Sequence, residues 1–214
     1  QWDLPRPVSL TDLPLPPTRG DKNSPARIAI DKAIAAHKKA MDDAKSKMLK
    51  TFEITMGKVT RDKTLLGSEK LRLVARLEVE QAAFEKAGYL PFSTVMRVHW
   101  PAYVELVNLA DFRLREVFEK QIATAVTEAK DAEQLKQERD SFFKPRIIAR
   151  WDDWVMYSNG KMRHHHWGVN NWTITGNRID VGTDRFTLNS LGDSVDCVNQ
   201  FNIRFGLTWR PPPD

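Results

Sequence analysis

Three consecutive histidines, His164, His165 and His166, are the residues whose type and spacing come closest to chemistry. Side chains alternate along a strand, so His164 and His166 would share one face, and two imidazoles at that spacing can ligate zinc or copper. A metal needs further ligands, and Asp152, Asp153 and Asp180 are the carboxylates a fold could bring near. Against a metal-dependent enzyme stands the plainer reading of a polar or interface strand. Asp152-Asp153 and Asp180 with Asp184 also suggest a carboxylate pair for glycoside hydrolysis. Adjacent acids in a strand face opposite ways, however, and nothing else marks a cleft. Cys197 is the single cysteine, so no intrachain disulfide can form, and it reads as a small buried strand residue rather than a nucleophile. There is no phosphate-binding glycine loop, no Ser-His-Asp order and no Cys-His cluster. The expectation is a protein that is not an enzyme and carries no cofactor.

Binding is the better prospect. Five of the 7 tryptophans, Trp151, Trp154, Trp167, Trp172 and Trp209, fall in the last third of the chain. They could stack on a sugar ring or base, or simply fill a small core. At the other end, residues 1–25 hold Pro5, Pro7, Pro14, Pro16, Pro17 and Pro25, which exclude a helix or a central strand. This extended arm carries apolar beads that include Trp2 and Leu4, as a segment that docks in a groove would. Trp2, Leu4 and the five late tryptophans are therefore the candidate interface residues.

The totals leave these options open. The net charge is +5 with a pI near 9.3, which favours any anionic partner without choosing one. The basic residues are interspersed with acids, and Arg204 and Arg210 beside Phe205 and Trp209 give some basic-aromatic interleaving. No specific nucleic-acid partner is expected. No apolar run approaches the roughly 20 residues of a membrane-spanning helix. A chain opening on Gln1 is expected to have lost a leader, as an exported protein would.

The elements that must position these residues follow from periodicity. Ser24-Pro25 reads as a helix cap and first turn, and Ile30, Ile34, His37, Met41, Ala44 and Met48 then recur at heptad spacing. Phe52, Thr55 and Val59 continue the stripe. A break is expected within 57–67, and Leu71, Val74, Leu77, Ala82 and Phe84 form the next stripe, capped by Gly88. Residues 88–100 read as a connection. A third helix runs from Pro101 through Tyr103, Val107, Ala110, Leu114 and Val117 to Phe142. After Pro145 the period changes to that of strands: Arg150 to Tyr157, a turn at Asn159-Gly160, and a hairpin across Gly176-Asn177. The expected fold is α+β: an arm (1–25), a long antiparallel helical hairpin (26–144), a small antiparallel β module (147–210) and a Pro-rich tail (211–214).

Glu80-x3-Phe84-x3-Gly88-x-Leu90-Pro91, followed by Tyr103 in a long helix, resembles helical-hairpin regions of predicted secreted proteins of planctomycete-type bacteria. Trp154 to Gly160, Trp172 to Asn177 and Asn199 to Asn202 are similar to the small β module that follows in those proteins. The resemblance implies an exported, envelope-associated protein and no reaction. Together these readings point to a structural or assembly subunit that works through a protein partner or self-assembly. The alternatives are a polysaccharide-binding module on a helical stalk, and a metal-dependent enzyme centred on His164 and His166.

Overall fold

Ser24 satisfies the start of the first helix, its Oγ accepting from Arg27 N–H at 3.2 Å and its carbonyl from Ile28 N–H at 3.0 Å. Helix α1 then runs Pro25–Arg61 without interruption, Gly57 included. A computed structural model describes residues 24–127, 132–164, 168–198 and 204–213. The proposed docking arm, with Trp2 and Leu4, lies outside them. The chain divides into two compact units, one built from residues 24–48 and 101–144, the other from 49–100 and 145–213.

The first unit is helical. The N-terminal part of α1 packs against α4 (Trp100–Thr127) and α5 (Glu133–Phe142). Ile30 joins Leu114, Phe118, Ile122, Ala125 and Ala132 in one buried cluster, with Leu135, Phe142 and Phe143 against it. Farther along α1, His37 meets Asp111. Since Ile30 meets residues from 114 onward and His37 meets 111, the two helices run antiparallel. Arg27 clamps α5 with a two-pronged hydrogen bond to Glu138, 2.9 and 2.8 Å, and also pairs with Asp31 on its own helix. The α1 residues expected at heptad spacing are the ones that turn inward: Ile30, Met41, Ala44 and Met48 are buried, and Phe52, Thr55 and Val59 in the second unit likewise.

In the second unit α2 (Gly67–Ala87) packs on the end of α1 through Phe52 and Phe84, whose rings lie 6.2 Å apart. Gly88, in the left-handed conformation at φ 71°, ends α2 and donates to Phe84 O. Residues 89–93 belong to neither helix nor strand, and a single turn, α3 (Thr94–Arg97), leads to Trp100. Here the structure departs from the expected stripe. Leu71 is 74% exposed and Ala82 is exposed, whereas Arg76 and Glu80 are buried. The inward face of α2 runs Arg76, Glu80, Ala83 and Ala87, with Leu77 and Phe84 beside it. Charged residues occupy a core rhythm that a hydrophobicity pattern passes over.

The β part is an antiparallel meander of eight strands in sequence order: β1 Ile147–Trp151, β2 Trp154–Tyr157, β3 Lys161–His164, β4 Gly168–Thr175, β5 Arg178–Val181, β6 Asp184–Leu188, β7 Ser194–Val198 and β8 Arg204–Thr208. The stretch 150–157, which composition presents as one strand, is two. Asp152 adopts a positive φ of 45° and reverses the chain between Trp151 and Trp154. Aspartate tolerates that conformation because its side chain can hydrogen-bond locally. The Asn159-Gly160 and Gly176-Asn177 turns lie where expected. Strand β4 pairs with β3 through residues 168–171 and with β5 through 172–175, so the sheet bends there.

The last strand returns to the first. Trp151 bridges Trp209, Asp152 N–H donates to Thr208 O at 3.0 Å, and Arg210 N–H to Arg150 O at 2.9 Å. The Asp152 carboxylate accepts from Thr208 N–H at 2.8 Å and from Arg210 Nε at 2.9 Å. The result is a nearly closed barrel filled by Trp154, Met156, Met162, Ile179, Phe186 and Cys197, with Trp154 edge-on to Phe186 at 5.0 Å. Strands this short bury little surface each, and large aromatics compensate.

Gly192, in the β6–β7 loop, comes so close to the 89–93 segment that a Cβ there would lie 2.2 Å from Phe92 C and O. Its φ is +66°, while Gly176, at φ +60°, has open space around its Cβ position. Gly192→Ala is expected to cost about 3 kcal/mol, the sum of left-handed strain and forced displacement. Gly176→Ala should cost only about 1 kcal/mol. Urea unfolding of the two variants measures the difference, and equal losses would contradict the close approach.

Candidate interaction site

The residues read as chemical are mostly occupied in building the second unit. Asp152 holds the barrel seam, and Asp180 accepts from Arg178 Nε at 2.7 Å. His164 is half-buried with its ring 4.8 Å from that of Trp154, while His165 and His166 lie outside the described residues. Among the described residues no three His, Cys, Asp or Glu side chains gather as metal ligands would. Trp151, Trp154 and Trp209 are buried, at 1%, 1% and 5% exposure, and fill the core instead of presenting a stacking surface. Trp172 is half-buried and donates from Nε1 to Tyr157 O at 3.1 Å. Trp167 is outside the described residues.

Cys197 is fully buried, and burial, with the nearby Asp184 charge, pushes its thiol up to about 12. A thiol raised this far stays protonated through neutral and mildly alkaline pH, so the nucleophilic thiolate is scarce in the folded protein. Native protein at pH 8 should take up no thiol reagent, and urea-unfolded protein should take up one equivalent. Rapid native labelling would contradict the burial.

Glu80, which sequence reasoning placed in a motif without assigning it a role, is buried and has all of its carboxylate engaged. Its Oε1 accepts from Phe92 N–H at 2.7 Å, Ser93 N–H at 2.8 Å and Arg76 Nη2 at 3.0 Å, and Oε2 accepts from Ser93 Oγ at 2.7 Å. Arg76 also donates to Leu191 O and Gly192 O and lies 4.2 Å over the Trp209 ring. Burial pushes the Glu80 carboxyl above its ordinary range and the Arg76 guanidinium below its own, and their mutual attraction opposes both shifts. Every strong partner is internal, so the cluster ties helix, connection and barrel together and has no reactive group to offer. The signal for it in the sequence is the i,i+4 pair Arg76/Glu80 in phase with Ala83 and Ala87.

A surface with unfilled apolar area lies in the helical unit. One side of the α1/α4 pair is closed by α5, and the other is a groove of about 460 Å³. Its α1 wall is a run of small residues, Ala29, Ala33, Ala36, Ala40 and Ala44, and its α4 wall is Leu106, Leu109, Ala110, Leu114 and Val117. Lys32, Asp43, Lys47 and Arg113 stand along it. His37, on its floor, bonds through Nε2 to Asp111 Oδ1 at 2.7 Å, so this imidazole is committed within the helix pair. Leu109 is 43% exposed and Phe112, one turn on, is 58% exposed. Alanines keep the groove wide. The heptad analysis followed the larger apolar residues and did not single out this alanine run.

No helix among the described residues is long and apolar enough to cross a membrane. Comparison with family models, with curated proteins and with solved structures returned no match.

Removing one partner of a buried ion pair leaves the other charge unsatisfied and typically costs about 3–5 kcal/mol. Glu80→Ala should lose stability in that range. Glu80→Gln should lose less, since its amide oxygen can still accept from Phe92 and Ser93. Urea midpoints of the two variants test this, and a near-neutral Glu80→Ala would show the cluster to be dispensable.

Proposed function

We propose that this protein is a non-catalytic structural or assembly subunit, working through a protein–protein interface in an exported or envelope-associated complex. The observation that carries the proposal is the open apolar groove between α1 and α4, whose α4 wall includes the exposed Leu109, with the exposed Phe112 one turn on along the same helix. Apolar side chains on a rigid helical frame lose little entropy on binding, and their burial supplies the driving force while the charged rim sets orientation. Asp152, Asp180 and His164, all singled out for catalysis, are engaged in the barrel seam, in an ion pair and against a core tryptophan, which supports a role in binding rather than reaction.

A second reading rests on β4, whose residues 168–171 are exposed and carry the adjacent amides Asn170 and Asn171 next to Trp172. Such a row can hydrogen-bond a polysaccharide.

The two readings part in one experiment. The full chain, isolated from its native source at moderate salt, should carry a stoichiometric protein partner or a further copy of itself. A Leu109→Lys/Phe112→Lys variant should fold normally yet weaken that association about tenfold or more. A chain that remains monomeric, and is retained only on a polysaccharide matrix, would overturn the assembly reading and favour β4.

A further inference from the structure

The groove is self-complementary in a way that selects its occupant. The α1 residues that line it are Ala29, Lys32, Ala33, Ala36, His37, Ala40, Asp43, Ala44 and Lys47. Except at His37, this pattern maps onto itself when α1 is reversed about residue 38. Ala36 exchanges with Ala40, Ala33 with Asp43, Lys32 with Ala44, and Ala29 with Lys47. If a second α1 lay antiparallel in the groove about that point, each charged α1 side chain that lines it (Lys32, Asp43, Lys47) would meet an alanine; Lys38, at the point of reversal, is not among the lining residues. Lys32 would stand beside Asp43 of the other copy, and the twofold would repeat that opposite-charge pair. Ala36 and Ala40 at the centre permit the close end of the 8–10 Å range of helix spacing. The long lysine stems would lie over alanines while their ammonium groups reach water.

From this pattern we infer that the groove is the isologous interface of a homodimer, in which the α1/α4 pairs of two copies form a four-helix arrangement about a twofold axis. The inference rests on the assembly reading and names the partner for its surface. Leu106 and Leu109 of α4 line the groove beside α1, and the twofold brings the α4 walls of the two copies to the same flank of the seam, which gives the exposed Leu109 a place to go. The stretch from Ala29 to Lys47 is about 27 Å long at the α-helical rise. A footprint two helices wide covers roughly 500 Å² per copy, so roughly 1,000 Å² in total, the lower edge of specific interfaces. A dimer at this lower edge is expected to be weak and to form with rising concentration.

Sedimentation velocity on the full chain, from about one to several hundred micromolar to span weak association, tests the inference. The expected result is a shift from the 24.6 kDa monomer toward twice that mass. Lys32→Asp alone and Asp43→Lys alone should each weaken the dimer about tenfold, since each places like charges together twice. The combined variant should restore it. These positions are exposed on α1, so all three variants should keep the parent's helical circular dichroism. A photo-crosslinking residue at position 36, in a mixture of isotopically light and heavy chains, identifies the occupant. Mixed light–heavy links to residues 29–47 support the dimer. A monomer at all concentrations, or a dimer indifferent to the charge exchange, would overturn it. Links within one chain to residues 1–23 would overturn it in favour of the arm. Links to a different protein would also overturn it, while leaving the assembly reading intact.

Discussion

A carboxylate at 1% exposure must have its lone pairs satisfied from within, and the way Glu80 is satisfied organises the barrel-bearing unit. Its two oxygens collect two backbone N–H groups, a hydroxyl and a guanidinium, drawn from the 89–93 segment and from its own helix. That segment has no ladder of its own at Phe92 and Ser93, and the carboxylate takes the place of a strand partner. Arg76 extends the network to the β6–β7 loop carbonyls and the face of Trp209. Gly192 then follows as a necessity, because the loop must come within contact of Phe92 for Arg76 to reach it. Helix, connection and sheet are held by one residue pair one turn apart.

The sheet has its own constraint, the seam between its first and last strands. An eight-strand meander with free edges would expose two rows of unpaired backbone groups. Here Asp152 turns the chain, pairs its backbone with Thr208 and uses its carboxylate on Thr208 and Arg210. The indole rings of Trp151 and Trp209, on either side of this seam, pack toward Phe92 and Arg76. Trp151 and Trp209, two of the tryptophans that made this region look like a binding platform, thus serve closure and docking of the sheet. The acid that looked like half of a catalytic pair serves the same end.

In the helical unit several polar groups are likewise spent on internal geometry: Arg27 on Glu138 and Asp31, His37 on Asp111, Arg139 on Glu119. Beside them lies apolar area, the alanine-walled groove with Leu109 on its α4 side. Binding energy in such a protein comes from surface removed from water, and specificity from where the few charges stand along the groove.

Periodicity alone determined a good deal. The stripe from Ile30 to Val59, the Ser24 cap, the left-handed Gly88, the Asn159-Gly160 and Gly176-Asn177 turns and the α+β class were all legible, because each depends on residues near in sequence. Four things were decided only by tertiary structure. The burial of Arg76 and Glu80 requires partners from 92–93 and 191–192, more than ten residues from either side chain in sequence. The division of Arg150 to Tyr157 into two strands requires Thr208 and Arg210 to reward a strained Asp152. The fate of the tryptophans depends on which face of a closed sheet they occupy, and hydrophobicity is the same on both. The groove exists because α5 covers one side of the α1/α4 pair and leaves the other. A pattern of residue types records which side chains avoid water. It does not record which distant group will meet them, and that is the information on which every site in this protein turns.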